Sequence, residues 1–172
     1  MAYWKTRNRF EMNLISTSLP ISNVLTGLDV SSKKRLFEHI GVLFENSQGI
    51  ARATTYDSLF AREKLGSTGL GHGIAIPHGR IKTLKQTLCA FVKPATPIPW
   101  DAPDGLPAEM IFFILVPEKA NEQHLQILSE LAQMFSDKSF RDAIAACTDA
   151  ESAHRLLINW TPYAATHRSA TI

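Results

Sequence analysis

Cysteine is nearly absent. The chain of 172 residues holds two, Cys89 and Cys147, too few for a disulfide framework or a cysteine-based metal cluster. Cys89 lies in an apolar run and reads as a buried, reduced thiol. A charge excess is missing too. Eighteen Lys and Arg against sixteen Asp and Glu leave a formal +2, which argues for neither nucleic acid nor an anionic membrane as partner. No apolar run approaches the roughly 20 residues of a membrane-spanning helix. The first 19 residues have no continuous apolar core of a signal peptide, because Asn8, Arg9 and Glu11 interrupt it. These absences predict a cytoplasmic protein.

What remains is ordinary globular material, 45% apolar and 20% charged. The length fits one domain with a sizeable core. Residues 1–12, with Lys5, Arg7 and Arg9 close together, read as a disordered extension. Residues 13–160 read as the folded domain and 161–172 as a flexible tail.

Ser31 or Ser32 can cap a helix running to about residue 46, with Leu36, Phe37, Ile40, Leu43 and Phe44 at helical spacing and Gly49 after its end. Thr54 or Thr55 can cap a second, with Leu59, Phe60 and Leu65 inward and Gly66 as terminator. Residues 73–77 and 87–93 read as strands. Residues 94–104 hold four prolines and read as an irregular connection. The continuous apolar run at 110–116 reads as a central strand buried on both faces, ended by Pro117. Three helices follow, at about 121–136, 139–146 and 149–159. The first has Leu125, Leu128, Leu131, Ala132 and Phe135 as its core stripe, and the last has Ala153, Leu156 and Leu157 inward. The interleaving predicts an α/β fold with a mixed sheet flanked by helices.

The densest chemistry lies in residues 66–79. Gly66, Gly69, Gly71 and Gly73 share a loop with Ser67, Thr68 and His72, and the stretch ends on His78 between Pro77 and Gly79. Pro77 biases Ile76 to extended geometry, and Gly79 admits a sharp exit or the close approach of another backbone. His78 is thereby placed at a strand exit, where open α/β sheets gather ligands. Spacing alone leaves it open between a functional residue and a satisfied loop histidine. His124 falls in the first turn of a helix with Asn121 as candidate N-cap. That position disfavours an imidazolium and suits a neutral ring donating to an anion, or simply a polar first-turn residue. Arg62, at the end of the second helix, is either a cation complementing the helix dipole or an anion clamp over the glycine loop. His39, His154 and His167 read as residues without chemistry.

Other chemistries fit worse. The glycines lack dinucleotide-fingerprint spacing and precede a strand rather than a helix. There is no P-loop lysine and no nucleophile elbow. A metal-dependent hydrolase using His72, His78 and His124 lacks both an H-E-x-x-H pattern and cysteine pairs, so no metal and no cofactor are expected.

The segment Arg62-Glu63-Lys64-Leu65-Gly66-Ser67-Thr68-Gly69, continuing to Ile74-Ala75-Ile76-Pro77-His78-Gly79, closely resembles the signature of phosphotransferase-system enzyme IIA domains of the fructose/mannitol type, most of all their nitrogen-regulatory branch. Leu115-Val116-Pro117 with His124-Leu125 and Leu128 forms a second matching block, and the resemblance spans about residues 14–158. It implies that His78 is the phosphoryl acceptor, that Arg62 clamps the group and that His124 donates a hydrogen bond to it. Ser67 and Thr68 are then candidates to cradle its oxygens, and Leu70 and Ile74 to form an apolar collar for a partner. The implied donor is an HPr-like phosphocarrier, called NPr in the nitrogen branch. The implied targets are regulatory partners such as potassium-transport proteins or sensor kinases. A free-standing IIA serving sugar uptake and a binding-only regulator without phosphotransfer are the alternatives. The family usually carries Asn where this chain has His72.

Overall fold

The computed structural model describes residues 13–119 and 122–162. Within them the strands are β1 (Val24–Leu28), β2 (Gly69–Gly71), β3 (Ile74–Ala75), β4 (His78–Ile81), β5 (Leu88–Pro94) and β6 (Met110–Pro117). The α-helices are α1 (Lys33–Gln48), α2 (Arg52–Leu65), α3 (Glu122–Ser136), α4 (Lys138–Ala146) and α5 (Ala150–Asn159). The extension, most of the tail and the candidate cap Asn121 lie outside the described residues.

The apolar run of β6 organises everything else. Successive side chains of a strand point to opposite faces, and both faces are covered. Met110, Phe112, Ile114 and Val116 enter one core with Ile127, Leu131 and Met134 of α3, Phe140 and Ile144 of α4 and Leu157 of α5. Ile111, Phe113 and Leu115 enter a second core with Leu36, Phe37, Ile40 and Phe44 of α1 and Leu59 of α2. The result is a mixed sheet between two helical layers, in the order β1-β5-β6-β3-β2. β5 is antiparallel to β6, whereas β3 and β4 both lie parallel to it, one after the other along the same edge.

The predicted helices form, with local corrections. Ser32 caps α1, accepting from the Arg35 N–H, and Gly49 closes it at φ 70°, a left-handed conformation that glycine takes without penalty. The second helix starts earlier than a Thr54 or Thr55 cap requires. Its N-cap is Ala51, and the carboxylate of Glu45 accepts from the Arg52 N–H at 2.8 Å instead. Thr55 is buried inside the helix, while Leu65, expected inward, is 85% exposed. The stripe of α3 is rotated from its expected position. Ile127, Leu131, Met134 and Phe135 are buried, but Leu125 and Ala132 are exposed and Leu128 is half-buried. Both sets satisfy helical spacing, so periodicity alone could not choose between them.

The glycine-rich loop is a hairpin. β2 pairs antiparallel with β3, Gly71 opposite Ile74. The two residues between them, His72 and Gly73, have φ of 55° and 77°, the positive values of a type I′ turn. His72 occupies a left-handed position that Asn, Asp and His enter more readily than other side chains. Its N–H donates to Asp104 at 2.8 Å. Histidine and asparagine are thus both suited to this position by backbone conformation.

Candidate functional site

The expected strand at 73–77 breaks after Ala75, and His78 opens β4 instead of ending a strand. Gly79 is therefore not an exit. It is the point where α2 crosses β4, and a β-carbon there would lie 3.0 Å from the Ser58 carbonyl carbon. The close approach that Gly79 permits is that of the chain's own helix. It brings the C-terminal half of α2 beside His78.

A cleft of about 520 Å³ opens here, lined by Ala61, Arg62 and Leu65 of α2, His78 and Arg80 of β4, and His124 of α3. Three of the residues singled out from sequence thus meet, although 62 and 124 lie far apart along the chain. The His78 and His124 rings face each other with centroids 6.1 Å apart.

The tautomer of His78 follows from its partner. Nδ1 lies 2.9 Å from the Ile76 carbonyl oxygen. A carbonyl only accepts, so Nδ1 carries the proton and Nε2 keeps the free lone pair of the neutral ring. Burial is the strongest influence on this ring and holds its pKa below the usual 6.5. The bond to Ile76 opposes that, the charge of Arg62 adds to it, and Glu63 opposes it. The His124 pKa is also lowered, first by burial and then by the charges of His78 and Arg80. Nδ1 of His124 is buried and has no hydrogen-bond partner among the described residues. Two neutral rings thus face one cleft, one with an available nucleophilic nitrogen and the other with an unspent polar atom.

Arg62 Nη1 donates to the Gly66 carbonyl at 2.8 Å, closing the end of α2, and the residue also lines the cleft. Ser67 and Thr68 do not line the cleft. Ser67 Oγ accepts from the Gly69 N–H at 3.1 Å, and the buried Thr68 donates its hydroxyl to Glu63 at 2.6 Å. Ile74 belongs to the core at 2% exposure, and Leu70 is exposed away from the cleft. Of the apolar residues lining the cleft, Leu65 is strongly exposed; Leu125, next to His124 in the chain, is 66% exposed. His72 lines a separate depression with Lys138 and Arg141, so the three histidines considered for a metal do not converge.

Sequence reasoning missed Arg80. On a strand, residues two apart share a face, so a strand reading of residues 78–81 would have placed Arg80 beside His78. No helix among the described residues is long and apolar enough to cross a membrane.

Residues 17–160 match the family model of the phosphoenolpyruvate-dependent sugar phosphotransferase system, EIIA 2. The nitrogen regulatory protein of Pseudomonas aeruginosa is 38% identical over 136 residues, covering 78% of this chain and 88% of the relative. That of Escherichia coli is 35% identical over 150 residues, covering 82% and 91%. Among solved structures, the nitrogen regulatory protein IIA-Ntr from Neisseria meningitidis superposes with a TM-score of 0.80 at 48% identity, covering 84% of this chain and 99% of that one. The mannitol IIA of Escherichia coli, 22% identical, shares the fold with a TM-score of 0.66 over 80% of this chain and 97% of its own. The chain belongs to the phosphotransferase-system EIIA 2 family, on its nitrogen-regulatory branch.

Proposed function

We propose that His78 accepts a phosphoryl group on Nε2 from the phosphohistidine of an HPr-like carrier, NPr in the nitrogen branch, and that the chain regulates partner proteins through its phosphorylation state. The observation that carries this reading is the hydrogen bond from His78 Nδ1 to Ile76. It fixes the proton on one nitrogen and leaves the other as nucleophile, at the head of a cleft that also holds a guanidinium.

The step balances without a cofactor. The Nε2 lone pair forms the new N–P bond as the P–N bond to the carrier's imidazole breaks, and that electron pair returns to the carrier's nitrogen. The His78 ring keeps its Nδ1 proton, and the Ile76 carbonyl dipole offsets the positive charge that develops on it. Charge spreads over the equatorial oxygens during transfer, so positioned donors supply most of the stabilisation. Arg62 supplies a fork of N–H groups and His124 a further donor. Once formed, the phosphohistidine adds negative charge to an accessible surface, which gives partners a basis for distinguishing the two forms. Potassium-transport proteins and sensor kinases are the partner classes that the branch suggests.

Incubation with phosphoenolpyruvate, enzyme I and the carrier tests this. Acid-labile, alkali-stable label on the wild type and none on His78→Ala is the expected result, with slower labelling of a folded Arg62→Ala. An unlabelled wild type would overturn phosphotransfer in favour of a binding-only regulator. A pull-down comparing the phosphorylated and free forms then identifies the regulatory partners.

A further inference from the structure

Arg80 is the cleft residue to which the proposed reaction has so far given no work. It is two residues beyond His78 on β4, in parallel register with Val116 as His78 is with Ile114. Strand alternation places the two side chains on one face, while Gly79 and Ile81 turn to the face covered by α2 and α1. The lining of the cleft contains two guanidinium groups and two histidines, and no carboxylate. It is built for an anion.

A phosphoryl group on a side chain carries about 1.5 to 2 negative charges at neutral pH. One guanidinium does not balance that, and Arg62 already spends an N–H on Gly66 at 2.8 Å. Arg80 is more weakly committed. Among the described residues its Nη1 reaches only the Glu118 carbonyl, at 3.3 Å, and no carboxylate of them forms an ion pair with it. A charge-assisted bond to a phosphoryl oxygen, typically about 2.7–2.9 Å, is stronger than that long contact with a neutral acceptor. The backbone of Arg80 is held independently, because Ser58 Oγ donates to its carbonyl at 2.8 Å. The side chain can therefore change partners without moving the strand. Its charge is felt at His124, the ring that shares the cleft with His78.

We propose that Arg80 is a second phosphoryl-binding residue, exchanging the Glu118 carbonyl for the oxygens of the group transferred to His78. This rests on the reading of His78 as phosphoryl acceptor.

The test uses the full chain with phosphoenolpyruvate, enzyme I and the carrier. Arg80→Gln should lower the initial rate of labelling by about tenfold or more, and Arg80→Lys should recover part of it, as a cation without the fork. In wild-type protein carrying ¹⁵N-arginine, the Arg80 Nε–H resonance should shift on phosphorylation, and it should stay in place in His78→Ala treated alike. Wild-type labelling with an unmoved Arg80 resonance would overturn the role of Arg80 while leaving His78 as acceptor. Labelling of Arg80→Gln at the wild-type rate would do the same. An unlabelled wild type would overturn both.

Discussion

Thr68 and Glu63 are joined twice: the threonine hydroxyl donates to Oε2 at 2.6 Å, and its backbone N–H donates to Oε1 at 3.2 Å. Lys33 Nζ, at the start of α1, holds the same Oε1 at 2.9 Å. The Glu63 side chain is 5% exposed and that of Lys33 20%. One buried carboxylate thus ties α1, the end of α2 and the entry to the hairpin together, directly beside Arg62. Glu63→Ala strands a mostly buried ammonium and two donors, and the expected loss is about 3 kcal/mol. Glu63→Gln keeps an acceptor for Thr68 and should cost less. Urea unfolding decides this: an alanine variant within about 0.5 kcal/mol of wild type would show that the tie carries no stability.

Gly79 is limited by space. A β-carbon there meets the Ser58 carbonyl carbon at 3.0 Å and the Ser58 β-carbon at 3.1 Å, and backbone does not yield as a flexible side-chain tip does. Gly79→Ala should cost about 1–3 kcal/mol through overpacking. It should also slow labelling of His78, because α2 carries Arg62 and must move outward. A variant with unaltered midpoint and labelling rate would refute the tight crossing.

At His72 the constraint is conformational, with φ at 55°. His72→Asn should remain within about 0.5 kcal/mol of wild type, whereas the β-branched His72→Val should lose about 1–2 kcal/mol. Neither should alter transfer, since His72 lies outside the cleft. Equal midpoints for the two variants would contradict the turn assignment.

These positions show what the sequence made legible. The β6 run and the apolar spacing of α1 are strong local signals, and the two-sided core followed from them. Arg62 and His78 could be picked out because one long signature carries them together, and His124 because a second matching block carries it. β1 is five residues long and contains Gly27, too brief to stand out, and the hairpin strands are shorter still. The cap of α2 comes from Glu45 across a helix-helix turn, a contact that spacing does not encode. Ser67 and Thr68 become candidate oxygen cradles only through the resemblance to the family. Only the fold shows Thr68 facing the carboxylate of Glu63. Arg80 was hidden by reading His78 as the end of a strand.

Stability should fall in mildly acidic solution. In the unfolded chain His78 and His124 take up protons as the pH drops through about 6.5, and in the folded protein they do so only at lower pH. Between those values the unfolded chain binds more protons. Their contribution is therefore complete above pH 6.5 and is lost as the pH falls through the depressed folded values. Arg62 and Arg80 act in the same direction, and Glu63 acts against it at His78. The urea midpoint of wild type should drop below pH 6.5 more steeply than that of a His78→Gln, His124→Gln double variant. Parallel profiles would show that neither ring is held neutral by the fold.

Leu65 puts apolar surface at the mouth of the cleft, 85% exposed, and Leu125, the residue after His124 on α3, is 66% exposed. Neither supports the core, so Leu65→Ser and Leu125→Ser should each leave stability within about 0.5 kcal/mol of wild type. A carrier that brings its phosphohistidine to His78 must pass this rim, where such side chains lose water on docking. The KM for the phosphorylated carrier should rise several-fold in each variant while kcat stays near the wild-type value, the pattern of lost binding without lost transition-state contact. Phosphorylation of His78 by phosphoramidate, which needs no protein docking, should be unchanged. If both variants keep the wild-type KM, the carrier docks elsewhere and the two leucines have no part in its capture. If phosphoramidate labelling falls as well, they shape the cleft itself.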